Sequence, residues 1–178
     1  NVIESVESLS GVHLEGPYIN KIYKGAQNAD FIRDPNVEEL KKIIEENEFA
    51  MKQGIIASGK LGAKWCAFHP RSSLTTGRYH HQSFEDNKKP FGEYLELAKK
   101  HGTGIAAENL LIIGTIQPII PFYCSDYGDL VELVDYFNDP DMQICWDTGH
   151  ANLMRFDQAT ALKYIGNRLK CTHIHNNF

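Results

Sequence analysis

In Met142-Gln143-Ile144-Cys145-Trp146-Asp147-Thr148-Gly149-His150 an apolar run ends abruptly in a carboxylate, a tight Thr-Gly step and an imidazole. A short apolar run bounded by turn residues reads as a buried strand. Asp147 and His150 then fall just past its C-terminal end. The same grammar recurs in Val12-His13-Leu14-Glu15-Gly16-Pro17, Trp65-Cys66-Ala67-Phe68-His69-Pro70, Ile105-Ala106-Ala107-Glu108-Asn109 and Cys171-Thr172-His173-Ile174-His175-Asn176. Segments with helical spacing lie between these runs. Strands that alternate with helices mean βα units and a parallel sheet. When such strands close into a barrel, their C-terminal edge holds the chemistry.

The 178 residues, 42% hydrophobic and 23% charged, suffice for one sizeable core. They are few for eight βα units, which typically need about 250 residues. Net charge is -5 and the chain has no basic cluster, which disfavours nucleic acid as the main partner. No apolar run approaches the roughly 20 residues of a membrane span. The stretch from Leu110 to Ile120 is interrupted by Gly114, Gln117 and Pro118, and nothing at the N-terminus resembles a signal peptide. The cysteines are Cys66, Cys124, Cys145 and Cys171, with no C-x-x-C pair, which argues against a thiolate zinc site. Three lie inside expected strands, where a thiol behaves as a small hydrophobe, and a reduced, cytoplasmic setting follows.

Along the chain, residues 10–16 read as the first strand, ending at His13 and Glu15, and residues 17–34 as a long loop. A helix is expected from Pro35 to Ser58, with Leu40, Ile43, Ile44, Asn47 and Met51 on one face and Gly59 and Gly62 ending it. The second strand is Lys64–Phe68. Residues 70–87 read as a polar loop holding Arg71, Arg78, His80 and His81, and Phe91–Lys100 as a helix. The third strand is Gly104–Ala107, followed by a loop over 110–125. Asp126–Phe137 is a helix stopped by Asn138-Asp139-Pro140. After the Met142 strand come a helix over Phe156–Leu169 and a fifth strand over Lys170–His175. Without a linker between halves, residues 1–178 read as one domain.

Glu108, Asp147, His150, His173 and, more loosely, His69 and His13 would all emerge from the same end of neighbouring strands. Mixed oxygen and nitrogen donors suit zinc, manganese or cobalt. Such a cation acts as a Lewis acid on a carbonyl or hydroxyl, while a neighbouring carboxylate or histidine moves the adjacent proton. Asp147-Thr148-Gly149-His150 also has a plain reading as a strand-to-loop turn. His173 is expected to face the interior, and His175 to pack outward or contact substrate. Trp65 and Trp146 are expected to pack outward against helices. Arg71 is a candidate for a substrate phosphate.

Leu61-Gly62-Ala63-Lys64-Trp65, Phe68-His69-Pro70, Ala107-Glu108-Asn109, Trp146-Asp147-Thr148-Gly149-His150 and His173-Ile174-His175-Asn176-Asn177 together resemble the xylose-isomerase-like barrels. That superfamily holds sugar and sugar-phosphate isomerases and epimerases and the endonuclease IV group, AP endonuclease family 2. The resemblance implies a (β/α)8 TIM barrel, here partial with about five βα units. It implies a metal-dependent isomerase or epimerase acting on a sugar or sugar phosphate, and is compatible with a homo-oligomer. Glu108, Asp147 and His173 would be the metal ligands. Glu108 and His150 would be catalytic, and His69, His150 and Arg71 would contact substrate.

The chain departs from the pattern at Asn176, where the family usually has Asp, and a final-strand glutamate ligand is not found after His173. A second resemblance covers residues 11–26. Gly11-Val12-His13-Leu14-Glu15-Gly16-Pro17-Tyr18-Ile19-Asn20 with Lys24-Gly25-Ala26 looks like the metal-binding strand of N-acetylglucosamine-6-phosphate deacetylase, with Glu15 as ligand. Endonuclease IV-like cleavage and an inactive barrel fragment complete the alternatives.

Overall fold

The computed structural model describes residues 36–72, 79–111 and 122–175. The expected first strand with His13 and Glu15, the 17–34 loop, the deacetylase-like stretch, Arg78 and Asn176 lie outside the described residues. The chain divides into two compact units, Asn1–Gly54 and Ile55–Phe178.

Helix α1 spans Val37–Lys60. Along its first part Lys41 Nζ pairs with Glu38 Oε1 at 3.2 Å and Lys42 Nζ with Glu46 Oε1 at 3.9 Å. Such exposed pairs add a few tenths of a kcal/mol each. Ile44, expected on the buried face, is exposed. The two glycines at the C-terminal end have different work. Gly62 takes the left-handed φ of 74° that turns the chain into the sheet. A Cβ on Gly59 would strike the carbonyl of His101, so this glycine permits a close approach.

Four parallel strands, β1 (Trp65–Phe68), β2 (Gly104–Glu108), β3 (Met142–Asp147) and β4 (Leu169–His173), stand side by side in chain order. This is the expected arc of a (β/α)8 barrel, each strand bounded within a few residues of the sequence reading. The connections run through α2 (Tyr79–His101), α3 (Tyr127–Phe137), and α4 (Thr148–Leu153) followed by α5 (Gln158–Ile165). None of the described helices is long and apolar enough to cross a membrane.

The core lies on the outer face of the arc. Ile105 and Ala107 of β2 and Met142, Ile144 and Trp146 of β3 are fully buried, as are Ala98 of α2, Leu130 and Leu133 of α3, and Ile165 of α5. Burying one such aliphatic or aromatic side chain is worth about 1.5–3 kcal/mol. Trp146 packs outward as expected, its Nε1 donating to Gln158 Oε1 at 3.2 Å. Trp65 does not. Its ring lies over Gly104, on the same face as Glu108, because only a residue without Cβ leaves room for an indole there.

Two elements differ from the sequence reading. Residues 79–90 are helical, so α2 begins 12 residues before the expected Phe91, and His80 and His81 belong to a helix rather than a loop. Pro90 sits inside this helix, and proline normally ends one. Ser83 and Asn87 are also fully buried, so polar residues occupy the inward stripe that apolar periodicity would have revealed. The last helix is shorter than expected: α5 stops at Ile165 and a 3-10 turn, Gly166–Arg168, leads into β4.

Candidate metal centre

Alternation along a strand sends every second side chain to one face. Glu108 ends β2, Asp147 ends β3 and His173 ends β4. The register aligns Asp147 with His173 and Glu108 with Cys145. Phe68 aligns with Ala107, which brings His69 level with Glu108. Side chains 26 to 104 positions apart in the chain therefore meet at one edge of the sheet.

One carboxylate oxygen, Glu108 Oε1, is the hub. His173 Nδ1 lies 3.1 Å from it, His69 Nε2 3.2 Å and His150 Nδ1 3.7 Å. Asp147 Oδ2 receives His175 Nε2 at 2.9 Å and stands 3.8 Å from His173 Nδ1. Both carboxylates are almost wholly buried, 5% exposed for Glu108 and 1% for Asp147, while His69, His173 and His175 stand at the open side. The hydrogen bond to Glu108 raises the His69 imidazole above its ordinary value, against burial, which lowers it. Burial pushes the Glu108 carboxyl up, but the hydrogen bonds and charges of His69 and His173 outweigh it and hold the group below the usual range.

Asp147 does two jobs. Its Oδ1 accepts from the His150 backbone N–H at 2.8 Å and caps the short helix α4. Its Oδ2 is left for His173 and His175. The turn reading and the ligand reading are thus compatible, one per oxygen. His150 Nδ1 donates to the Asn109 carbonyl at 2.8 Å. A carbonyl only accepts, so Nδ1 carries a hydrogen and Nε2 points elsewhere.

Several residues that hold this arrangement carry no metal-site signal in the sequence. Asn109, 1% exposed, clamps the Asp147 peptide: Oδ1 accepts from Asp147 N at 2.6 Å and Nδ2 donates to Asp147 O at 3.0 Å. Asn87 grips Arg71 in the same way, with Oδ1 accepting from Arg71 N at 2.8 Å and Nδ2 donating to Arg71 O at 2.7 Å. Arg71 also donates through Nη2 to Tyr94 Oη at 3.2 Å. Thr148 ties down the end of β4: Oγ1 donates to His173 O at 3.3 Å and accepts from His175 N at 3.1 Å. The expected split between His173 and His175 is corrected here. Residues two apart share a strand face, and both imidazoles turn to Asp147.

The donor set suits a divalent cation. Three groups of ligand atoms each lie within 4.8 Å of one another: His69, Glu108 and His150; Glu108, Cys145 and His173; Asp147, His173 and His175. Two buried carboxylates facing imidazoles need positive charge between them, and mixed oxygen and nitrogen donors favour zinc, manganese or cobalt. The absence of a C-x-x-C pair said nothing about Cys145, whose thiol is brought in by strand pairing instead.

The xylose isomerase-like TIM barrel family model matches residues 48–178. The chain belongs to this family. Solved structures share its fold. A D-tagatose 3-epimerase-like protein has TM-score 0.63 at 19% identity, covering 77% of this chain and 50% of its own. The 3-keto-D-glucoside 4-epimerase from E. coli, in apo form, has TM-score 0.60 at 17% identity, covering 73% of this chain and 50% of its own. The IOLI protein, solved with a zinc atom bound, has TM-score 0.57 at 17% identity, covering 79% of this chain and 46% of its own. The chain spans about half the length of these structures. No curated protein sequence matches it.

Proposed function

We propose that this chain carries a metal-dependent isomerase or epimerase site for a sugar or sugar phosphate. The observation that carries the reading is the pair of buried carboxylates, Glu108 and Asp147, set at adjacent strand ends among four imidazoles. The similar solved structures, one an epimerase, one an epimerase-like protein and one a protein with zinc bound, support it.

In this reading Glu108, Asp147 and His173 would hold zinc, manganese or cobalt, which would supply Lewis acidity to a substrate carbonyl or hydroxyl. Glu108, kept ionised by its histidines, takes the proton from the carbon alpha to the sugar carbonyl and returns it. His150, with Nδ1–H fixed on Asn109, offers Nε2 to a substrate hydroxyl. His69 contacts the substrate from the open side. Arg71 meets a phosphate where the substrate has one, its loop held by Asn87.

Solvent hydrogen exchange tests this directly. The chain, supplied with manganese or cobalt, is incubated in deuterium oxide with ketoses and ketose phosphates. Deuterium should enter at the carbon beside the carbonyl of at least one sugar, and Glu108→Gln should slow it by about 10²–10⁴-fold. A chain that binds the cation but exchanges no sugar proton would overturn the reading.

A further inference from the structure

Two thiols lie side by side one layer below the carboxylates. Cys145 of β3 and Cys171 of β4 are direct partners in the parallel register. Cys145 stands two residues before Asp147 and Cys171 two before His173, so alternation puts both on the inner face. Neighbouring strands are about 4.8 Å apart, within the roughly 4.4–6.8 Å between Cα atoms that a disulfide spans. Cys145 is fully buried, while Cys171 is partly exposed and gives an oxidant its entry. The remaining cysteines are placed differently. Cys66 is buried on the outer face against Thr103 Oγ1 at 3.7 Å, and Cys124 is buried in the turn before α3.

We propose that Cys145 and Cys171 are a dithiol–disulfide modification site beneath the cation site, closed by a peroxide. The Cys171 sulfur attacks a peroxide oxygen: the S–O bond forms, the O–O bond breaks, and one water leaves. The Cys145 sulfur then attacks the Cys171 sulfur: the S–S bond forms, the S–O bond breaks, and a second water leaves. Each cysteine gives up one electron and one proton, and the peroxide takes up both pairs. The bridge ties β3 to β4 just below Asp147 and His173 and fixes the spacing of those two side chains. A bridge with one accessible sulfur belongs to the readily reduced class, so the change reverses with thiol reductants. The inference stands on the thiols alone and does not depend on the proposed activity.

The test is oxidation of the full folded chain with hydrogen peroxide, read by thiol counting and by mass mapping of non-reduced peptides. Two of the four cysteines should disappear as thiols, the intact mass should fall by two hydrogens, and one peptide should link Cys145 to Cys171. Dithiothreitol should restore both, and Cys66 and Cys124 should stay reduced. In Cys171→Ser, Cys145 should remain a thiol under the same treatment. Cys171 recovered as a sulfinic acid or in a link between two chains, with Cys145 still reduced, would overturn the proposal. So would four unreacted thiols, or oxidation of Cys145 in Cys171→Ser.

Discussion

Asn109 commits both ends of its amide to the Asp147 peptide, with bonds of 2.6 and 3.0 Å in a site that water does not reach. Truncation to Asn109→Ala leaves a buried N–H and a buried carbonyl without partners. Each such group costs about 1–3 kcal/mol, so the variant should lose about 2–4 kcal/mol in urea denaturation; a loss under 0.5 kcal/mol would mean the clamp is decorative. The ion pair of His69 and Glu108 makes a prediction about pH. His69 is raised, so its contribution is full below the ordinary histidine value of about 6.5 and is lost as pH climbs through the raised value. Glu108 is lowered, so its contribution is full above about 4.3 and is lost as pH falls through the lowered value. The cation-free chain should therefore be most resistant to urea between those limits. Its alkaline decline should flatten in His69→Gln, and an unchanged profile in that variant would refute the pairing. The charged and imidazole members of the site were legible because strand-ending carboxylates and histidines stand out in an apolar context. The clamping roles of Asn109, Asn87 and Thr148 were not, since an amide or hydroxyl that bonds a peptide far along the chain leaves no local trace of that partner. For His175 the expected outward packing is the part that fails, since its imidazole turns to Asp147.

Strand β2 depends on a glycine where a side chain is the norm. A Cβ on Gly104 would run into the six-membered ring of Trp65, with Cε3 at 2.6 Å, and would also meet Asp141 O at 3.1 Å. The rigid indole has no soft torsion near its ring edge with which to yield. Gly104→Ala should therefore cost about 1–3 kcal/mol, as overpacking usually does, and thermal unfolding should show it; an unchanged midpoint would mean the indole moves without penalty. The strands were recognisable because each is a short apolar run bounded by turn residues, and α3 because Asp126 caps it and Leu130, Val131 and Val134 recur on its buried face. The first half of α2 was hidden for two physical reasons: Pro90 gives a stop signal inside a continuing helix, and buried Ser83 and Asn87 break the apolar stripe. The direction of Trp65 was hidden as well, because it depends on a glycine in the neighbouring strand.

The four strands repeat one plan: the outer face packs on helices and the inner face leads up to a polar edge. That plan is why alternating βα patterns pointed to a parallel sheet before any side chain was placed; the resemblance of the strand-end motifs implied the xylose isomerase-like barrel, and the family match over residues 48–178 agrees. Which donors share one cation was beyond the sequence, because it depends on the shear between strands. The register puts Cys145 rather than Asp147 opposite Glu108. The most direct measurement is elemental analysis of the purified chain beside Asp147→Ala and Glu108→Ala, each checked for folding by circular dichroism. Close to one zinc, manganese or cobalt per chain is expected in the unaltered protein and almost none in either variant. A folded, unaltered chain that takes up no divalent cation even from excess would contradict the metal centre and the chemistry built on it.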